Sequence, residues 1–353
     1  MMHAQKLEQL TVWRVLLLLL LFGAIGIALG CCVGSTGFDS WARIWQDPVA
    51  WQIVWEIRLP RTIGAWLGGA LLGLAGAVAQ GLFRNPLADP YLLGSASGAS
   101  LGVALVLAWL DGHYLAAQWG LRLGLTGAAF VGGVVAVMFT LLLAQGVQHT
   151  LRLLLAGVIV GVVLGALTSL VSFLRPDVLQ GMQGFMLGST GFVGWDACVL
   201  MAAVLLLTTT LAFVLSRVLD ALTLGESTAL SLGLPLVPLR VALVCVLALA
   251  TGTAVAQIGL VAFVGLAAPH LVRSLVKTAY NWGVLLSALM GGALLLFADL
   301  LARFLVAPEE LPVGVLTAVL GGGYLLWLMY RSQTHGHGLG HGLVNVSLKR
   351  DES

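Results

Sequence analysis

Charge is what this 353-residue chain has least of: Asp, Glu, Lys and Arg together make up 9%, where soluble domains carry about a quarter. With 59% hydrophobic residues and a mean hydropathy of +1.02, the apolar surface exceeds what a water-exposed fold can hide. Lipid is therefore the solvent for most of the chain. Lysine occurs only at Lys6, Lys277 and Lys349, none after a glycine, which excludes a phosphate-binding loop of the G-x-x-x-x-G-K-[ST] type. H-E-x-x-H is absent, and without an acid–base or metal constellation in any span a membrane-embedded enzyme is a poor reading. A net charge of +2 is too small to point to nucleic acid. The four cysteines, adjacent Cys31 and Cys32 and solitary Cys198 and Cys245, lack metal-ligand or redox spacing and read as small packing residues.

What the sequence does have is long charge-free stretches. Crossing a core of about 30 Å takes about 20 helical residues, and stretches of that order recur at Val15–Phe38, Thr62–Phe83, Tyr91–Leu110, Leu123–Gln148, Leu153–Leu174, Ala197–Ser216, Val241–Val272, Tyr280–Ala298 and Leu311–Tyr330. The first exceeds the ~7–15 apolar residues of a cleavable signal and reads as a span. Val241–Val272 as a single helix would be ~48 Å long; Gly259, Gly265 and Pro269 offer places to break it, and two spans meeting near Gly259 are expected. Ten spans with cytoplasmic N- and C-termini put eleven Lys/Arg inside and six outside, in agreement with the positive-inside rule, which nine spans would reverse. The expectation is an all-α integral membrane protein with about ten transmembrane helices over residues 1–334 and a flexible cytoplasmic tail over 335–353. His335, His337 and His341 in that tail offer ligands for a soft divalent metal, although a disordered Gly-rich tail accounts for them as well.

Ala77-Val-Ala-Gln80 recurs as Ala254-Val-Ala-Gln257, with an arginine upstream and a proline downstream of each copy. Spans 2–5 and 7–10 would then form inverted repeats, as transporters do. Gly157, Gly161 and Gly165, four residues apart, share one face of the fifth helix. Such a face packs against a neighbouring helix, or lines a path for a bulky substrate.

Three polar clusters remain. Arg58-Leu-Pro-Arg61 lies at the outer end of the second span, and Arg303 at the outer end of the ninth, four residues after Asp299. They read as head-group anchors or an intrahelical Asp299–Arg303 pair, or as a docking rim for acidic side chains. Arg84-Asn-Pro-Leu-Ala-Asp-Pro90 forms an inner turn fixed by two prolines and suited to a gate. The inner loop 217–240 holds a short helix bracketed by Gly225 and Gly233 and stopped by Pro235, a handle for a soluble partner.

Taken in order, Arg58-Leu-Pro-Arg61, the run from Gln80 to Gly94, Leu154-Leu-Ala-Gly157, the Leu224–Gly233 loop, Gly265-Leu-Ala-Ala-Pro-His270, Ala298-Asp-Leu-Leu-Ala-Arg303 and Glu310-Leu-Pro-Val-Gly314 make the chain resemble the FecCD permease family over roughly residues 56–331. These are membrane subunits of type II ABC importers for vitamin B12, iron siderophores and heme. The resemblance implies a homodimer, two cytoplasmic ATPase subunits that hold ATP and Mg, one periplasmic substrate-binding protein, and no cofactor or metal on this chain. It assigns binding-protein docking to Arg58, Arg61 and Arg303, and ATPase coupling to Leu224, Gly225, Glu226, Ala229 and Gly233. An inner gate falls on Asn85 and Leu87, a second near His149 and Thr150, and a path-lining helix on Gly157, Gly161 and Gly165. Ala267-Ala268 and Gly321-Gly-Gly323 depart from the family's pattern. Arg175, at the outer end of the fifth span, would meet an anionic ligand or anchor its loop. The expected function is ATP-driven import of a metal chelate by alternating access. The rival is an ion-coupled secondary transporter, for which Asp299 is the candidate carboxylate.

Overall fold

The computed structural model describes residues 2–34, 37–109, 118–144, 150–327 and 330. It is a helical bundle with one two-residue strand pair, Val33–Gly34 against Gly37–Phe38. In chain order the helices are α1 (Met2–Cys32), α2 (Trp41–Gln46), α3 (Pro48–Ile53), a π-helical turn Val54–Arg58, α4 (Leu59–Phe83), a 3₁₀ turn Pro90–Leu93, α5 (Ser95–Trp109), α6 (Gln118–Leu143) and α7 (Thr150–Leu174). They continue with α8 (Pro176–Leu187), α9 (Trp195–Val214), α10 (Ser216–Thr223), α11 (Glu226–Ser231), α12 (Leu236–Ile258), α13 (Val264–Leu275), α14 (Tyr280–Phe304) and α15 (Val313–Trp327).

Among the described residues seven helices are long and apolar enough to cross a bilayer, and α5, α13 and α15 are shorter; together these ten match the ten expected spans. The long stretch divides where expected. α12 ends at Ile258, Gly259 turns left-handed at φ +70°, and α13 starts at Val264. Twelve residues of α13 give only ~18 Å of helix, so the non-helical 259–263 segment completes the crossing. Bare backbone survives in lipid only where protein satisfies it. Here Leu260 N–H donates to Phe185 O (2.9 Å) and Ser189 N–H to Ile258 O (2.9 Å), while Tyr91 Oη donates to Val261 O (3.1 Å). Phe185 and Ser189 come from the end of α8 and just past it, an element the charge-free stretches do not reveal, and Tyr91 from the 3₁₀ turn. α2 and α3 are likewise outside the expected spans, and the first span ends at Cys32 rather than Phe38.

α4 is the axis of the bundle. Its apolar window is 89% buried, and glycines let neighbours reach its backbone. A methyl at Gly69 or Gly73 would overlap the Gly291 or Ser287 carbonyl of α14, and one at Gly76 would overlap Gly265 O of α13. Without a hydrophobic drive between helices in lipid, this close backbone approach supplies the packing attraction. Gly68, near the start of α4, faces Ile258 at the end of α12, so the two helices run in opposite directions. Each opens a long–short–long series, α4–α5–α6 and α12–α13–α14, in keeping with an inverted repeat. Of the cysteines, Cys31, Cys32 and Cys198 are buried as packing residues, whereas Cys245 faces outward.

Candidate functional site

The polar residues gather at two opposite ends of the bundle. At one end, here called the rim, the last turn of α1 leaves carbonyls with no partner within the helix. Arg58 supplies donors from the start of α4, to Cys31 O (3.2 Å) and Cys32 O (3.5 Å), and pairs with Asp39 (2.7 Å). Arg303 supplies another from α14 to Gly30 O (3.4 Å). Positive groups at a helix C-terminus also complement its dipole. Beside them, Asp299 receives donors from Arg303, Thr190 Oγ1 and Arg61 Nη2 (3.2 Å). Arg61 then reaches Glu310 through Nη1, at 2.8 and 2.7 Å to the two carboxylate oxygens.

The expected docking arginines are thus brought to one rim, where each is also engaged within the chain. Arg58 and Arg303 lie inside, at 8% and 1% exposure, committed to α1 and to internal carboxylates. The Asp299–Arg303 pair of the anchoring reading is present. Only Arg61 reaches toward the surface, through Glu310. Asp299 is fully buried among two guanidiniums and a hydroxyl. Arg175 pairs with Asp177 (3.3 Å), and its hydrogen bond holds the Asp177 carboxyl below the usual carboxylate range; this is the loop-anchoring geometry.

At the opposite end, the coupling face, α11 forms between left-handed Gly225 (φ +108°) and Gly233 (φ +76°), as the glycines and Pro235 predict. Ala229 is buried, while Leu224, Leu230 and Leu232 are exposed, an unusual display for a polar end of the bundle. Glu226, the first residue of α11, pairs with Arg240 of α12 (2.5 Å) and with Arg84 (3.5 Å). Arg84 is the left-handed residue (φ +50°) that ends α4. From there Asn85 Oδ1 accepts the Leu87 N–H (2.9 Å) and Asp89 Oδ1 the Tyr91 N–H (2.8 Å). Burial pushes the Asp89 carboxyl upward, partly offset by that N–H. Asn85 and Leu87 stay exposed on the turn. One ion-paired cluster therefore joins the α11 handle to the gate-like turn, a link that no local motif spells out.

Past that turn a groove of about 400 Å³ runs between Asp89, Tyr91 and Ser97 on one side and Gly157, Gly161 and Val162 on the other. The glycine face of α7 divides its work. A methyl at Gly157 would overlap Leu92 O, at Gly161 it would come to 3.7 Å from Ser97 Oγ, and at Gly165 it would meet nothing. Packing holds one end of the face, and the other borders open space. Thr150 opens α7, whereas His149 and the 335–353 tail lie outside the described residues. Sequence reasoning also passed over Phe263. It is left-handed at φ +67°, and a methyl at Gly321 would run into its ring, which explains a glycine in the Gly321–Gly323 run.

A ten-span bundle with a paired rim, a protruding handle at the other end and a glycine-lined groove between is the architecture of a transport permease. The profile of the FecCD transport family matches residues 13–331, and the chain belongs to that family. It is 37% identical over 329 residues to the hemin transport system permease protein HmuU of Yersinia pestis, covering 91% of this chain and 96% of that one. It is 38% identical over 324 residues to the vitamin B12 import system permease protein BtuC of Pectobacterium atrosepticum, covering 91% and 94%. Among solved structures, an inward-facing transporter assigned to the metal-chelate ABC type superposes with a TM-score of 0.79 at 29% identity, over 91% of this chain and 98% of that one.

Proposed function

We propose that the chain is the membrane-spanning subunit of an ATP-driven importer that takes up a metal chelate, such as a ferric siderophore, heme or cobalamin, from the periplasm across the bacterial inner membrane. Two copies would enclose the path, two cytoplasmic ATPase subunits would hold ATP and Mg, and a periplasmic substrate-binding protein would deliver the cargo. This chain supplies shape and coupling and needs no cofactor. The rim then faces the periplasm and the coupling face the cytoplasm, an orientation supported by Arg84, Arg217, Arg240, Arg273 and Lys277 lying at the coupling end.

The observation that carries the mechanism is Glu226 bridging Arg240 and Arg84. An ATPase gripping exposed Leu224, Leu230 and Leu232 would move α11, and Glu226 transmits that motion to the turn bearing Asn85 and Leu87. The groove along Gly157–Gly165 then changes access. Docking of the binding protein at the rim falls to Arg61, which can exchange Glu310 for a partner carboxylate. Asp299, enclosed by its own arginines, gives a secondary transporter no carboxylate to load. The relatives named for hemin and vitamin B12 support the cargo class and leave its member open.

The test is ATPase activity of the chain co-purified with its partners. Glu226→Ala should lower binding-protein-stimulated turnover about 5-fold or more, the range of a modest coupling energy, and Gly233→Val should abolish it. Unchanged stimulation in both, or transport by the isolated chain down an ion gradient, would overturn the reading.

A further inference from the structure

A second polar recess lies apart from the groove. Between α4, α13 and α14, at the coupling face, a cleft of about 340 Å³ is lined by Arg273, Lys277 and Tyr280 on its polar side and by Val272, Val276 and Gly283 on its apolar side. Arg273 donates to the Gln80 amide oxygen. Among the described residues neither cation is ion-paired to a carboxylate, although every arginine of the rim network is. The neighbouring acid, Asp220, accepts the Tyr280 N–H (3.1 Å) and caps α14. Two exposed cations without counter-charge in a recess between helices favour an anion.

The depth of the cleft narrows the choice. Trp282, one residue before Gly283, meets Trp13 of α1 edge-to-face at 5.4 Å, and tryptophans of this kind mark the level of lipid head groups. The cations sit at that level, and the apolar wall continues from them into the bundle. We propose that this cleft binds an anionic phospholipid, with the phosphodiester on Arg273 and Lys277 and an acyl chain along Val272, Val276 and Gly283. The site rests on the orientation argued above, which turns it toward the cytoplasmic leaflet, where basic pockets between helices select acidic head groups. A free phosphate would use the cations and ignore the apolar wall. An acidic side chain of a soluble partner would do the same.

Native mass spectrometry of the full chain, without partners, tests this with dioleoylphosphatidylglycerol, dioleoylphosphatidylcholine and inorganic phosphate as probes. Phosphatidylglycerol should be retained over phosphatidylcholine. Lys277→Gln should weaken it about 5-fold and the Arg273→Gln/Lys277→Gln pair about 30-fold, following the usual contribution of each basic residue near a lipid surface. Gly283→Leu tests the acyl slot separately. A Cβ there meets no atom within 4 Å, so the helix tolerates the side chain while the slot fills, and phosphatidylglycerol should be lost. Equal retention of the two lipids, full competition by inorganic phosphate, or wild-type lipid binding in Lys277→Gln and Gly283→Leu would overturn the proposal. The assay needs no turnover, so its failure leaves the importer reading standing.

Discussion

At the rim, Asp299 has no exposed surface and takes donors from two arginines and a threonine. At the coupling face, Glu226 also lies between two arginines; Arg240 is only 4% exposed, but the Glu226 side chain is 31% exposed and that of Arg84 40%. The residue types are the same and the solvent differs. A desolvated charge must stay paired, because losing its partner leaves an uncompensated ion in a low dielectric. A half-wet pair can open, since water and counter-ions take over from the lost partner. The rim is accordingly a fixed frame that ties α1, α4 and α14 together. At the coupling face the Glu226–Arg84 contact is a joint that can separate and re-form as a partner moves, while buried Arg240 keeps its hold on Glu226.

Substitutions at three carboxylates would break or sharpen this contrast. Asp299→Ala should be the most damaging, costing ~3–5 kcal/mol because Arg61 and Arg303 are left buried against each other. Thermal unfolding in detergent reads the loss, and a Tm near wild type would show that the rim is not a frame. Glu310→Gln removes one of two partners of Arg61, which keeps Asp299, and should cost ~1 kcal/mol. The same variant should strengthen capture of the binding protein by freeing the guanidinium, read by surface binding to the reconstituted chain; weaker capture would end the exchange idea. Glu226→Gln keeps an amide oxygen for the buried Arg240 and releases only the half-exposed Arg84, so it should change Tm least, by ~1 kcal/mol or less. A rise in salt should mimic the loss of the Arg84 contact, since only a solvent-exposed pair is screened. A collapse of Tm in Glu226→Gln would place the coupling pair in the frame as well.

Much of the bundle is legible in the sequence because its signals are local. Charge-free runs mark the spans, Gly259 marks the break, and Gly225, Gly233 and Pro235 delimit α11. Each of these acts through backbone geometry within a few residues. The rim was harder. Arg58, Arg61 and Arg303 stand out as cations at a membrane edge, but their use depends on Asp39 and Glu310, which lie 19 and 249 residues from the arginines they engage. Weighing acids with bases would have found them, because Glu310 belongs to the same ordered set of motifs. The bridge from Glu226 to Arg84 is equally non-local. α8 was missed for another reason: it is too short and too polar to register as a span, and its role becomes visible only beside the unwound 259–263 segment. Phe263 carries no signal in its own position, although the glycine run opposite it does.

The capping of α1 bears on how the chain is built. Synthesis runs from the N-terminus, so α1 enters the membrane before Arg58 exists and long before Arg303, 273 residues beyond Gly30. During biogenesis its last carbonyls must rely on water or the insertion machinery. α1 is therefore secured late, and its final seat is set by the arrival of the ninth span.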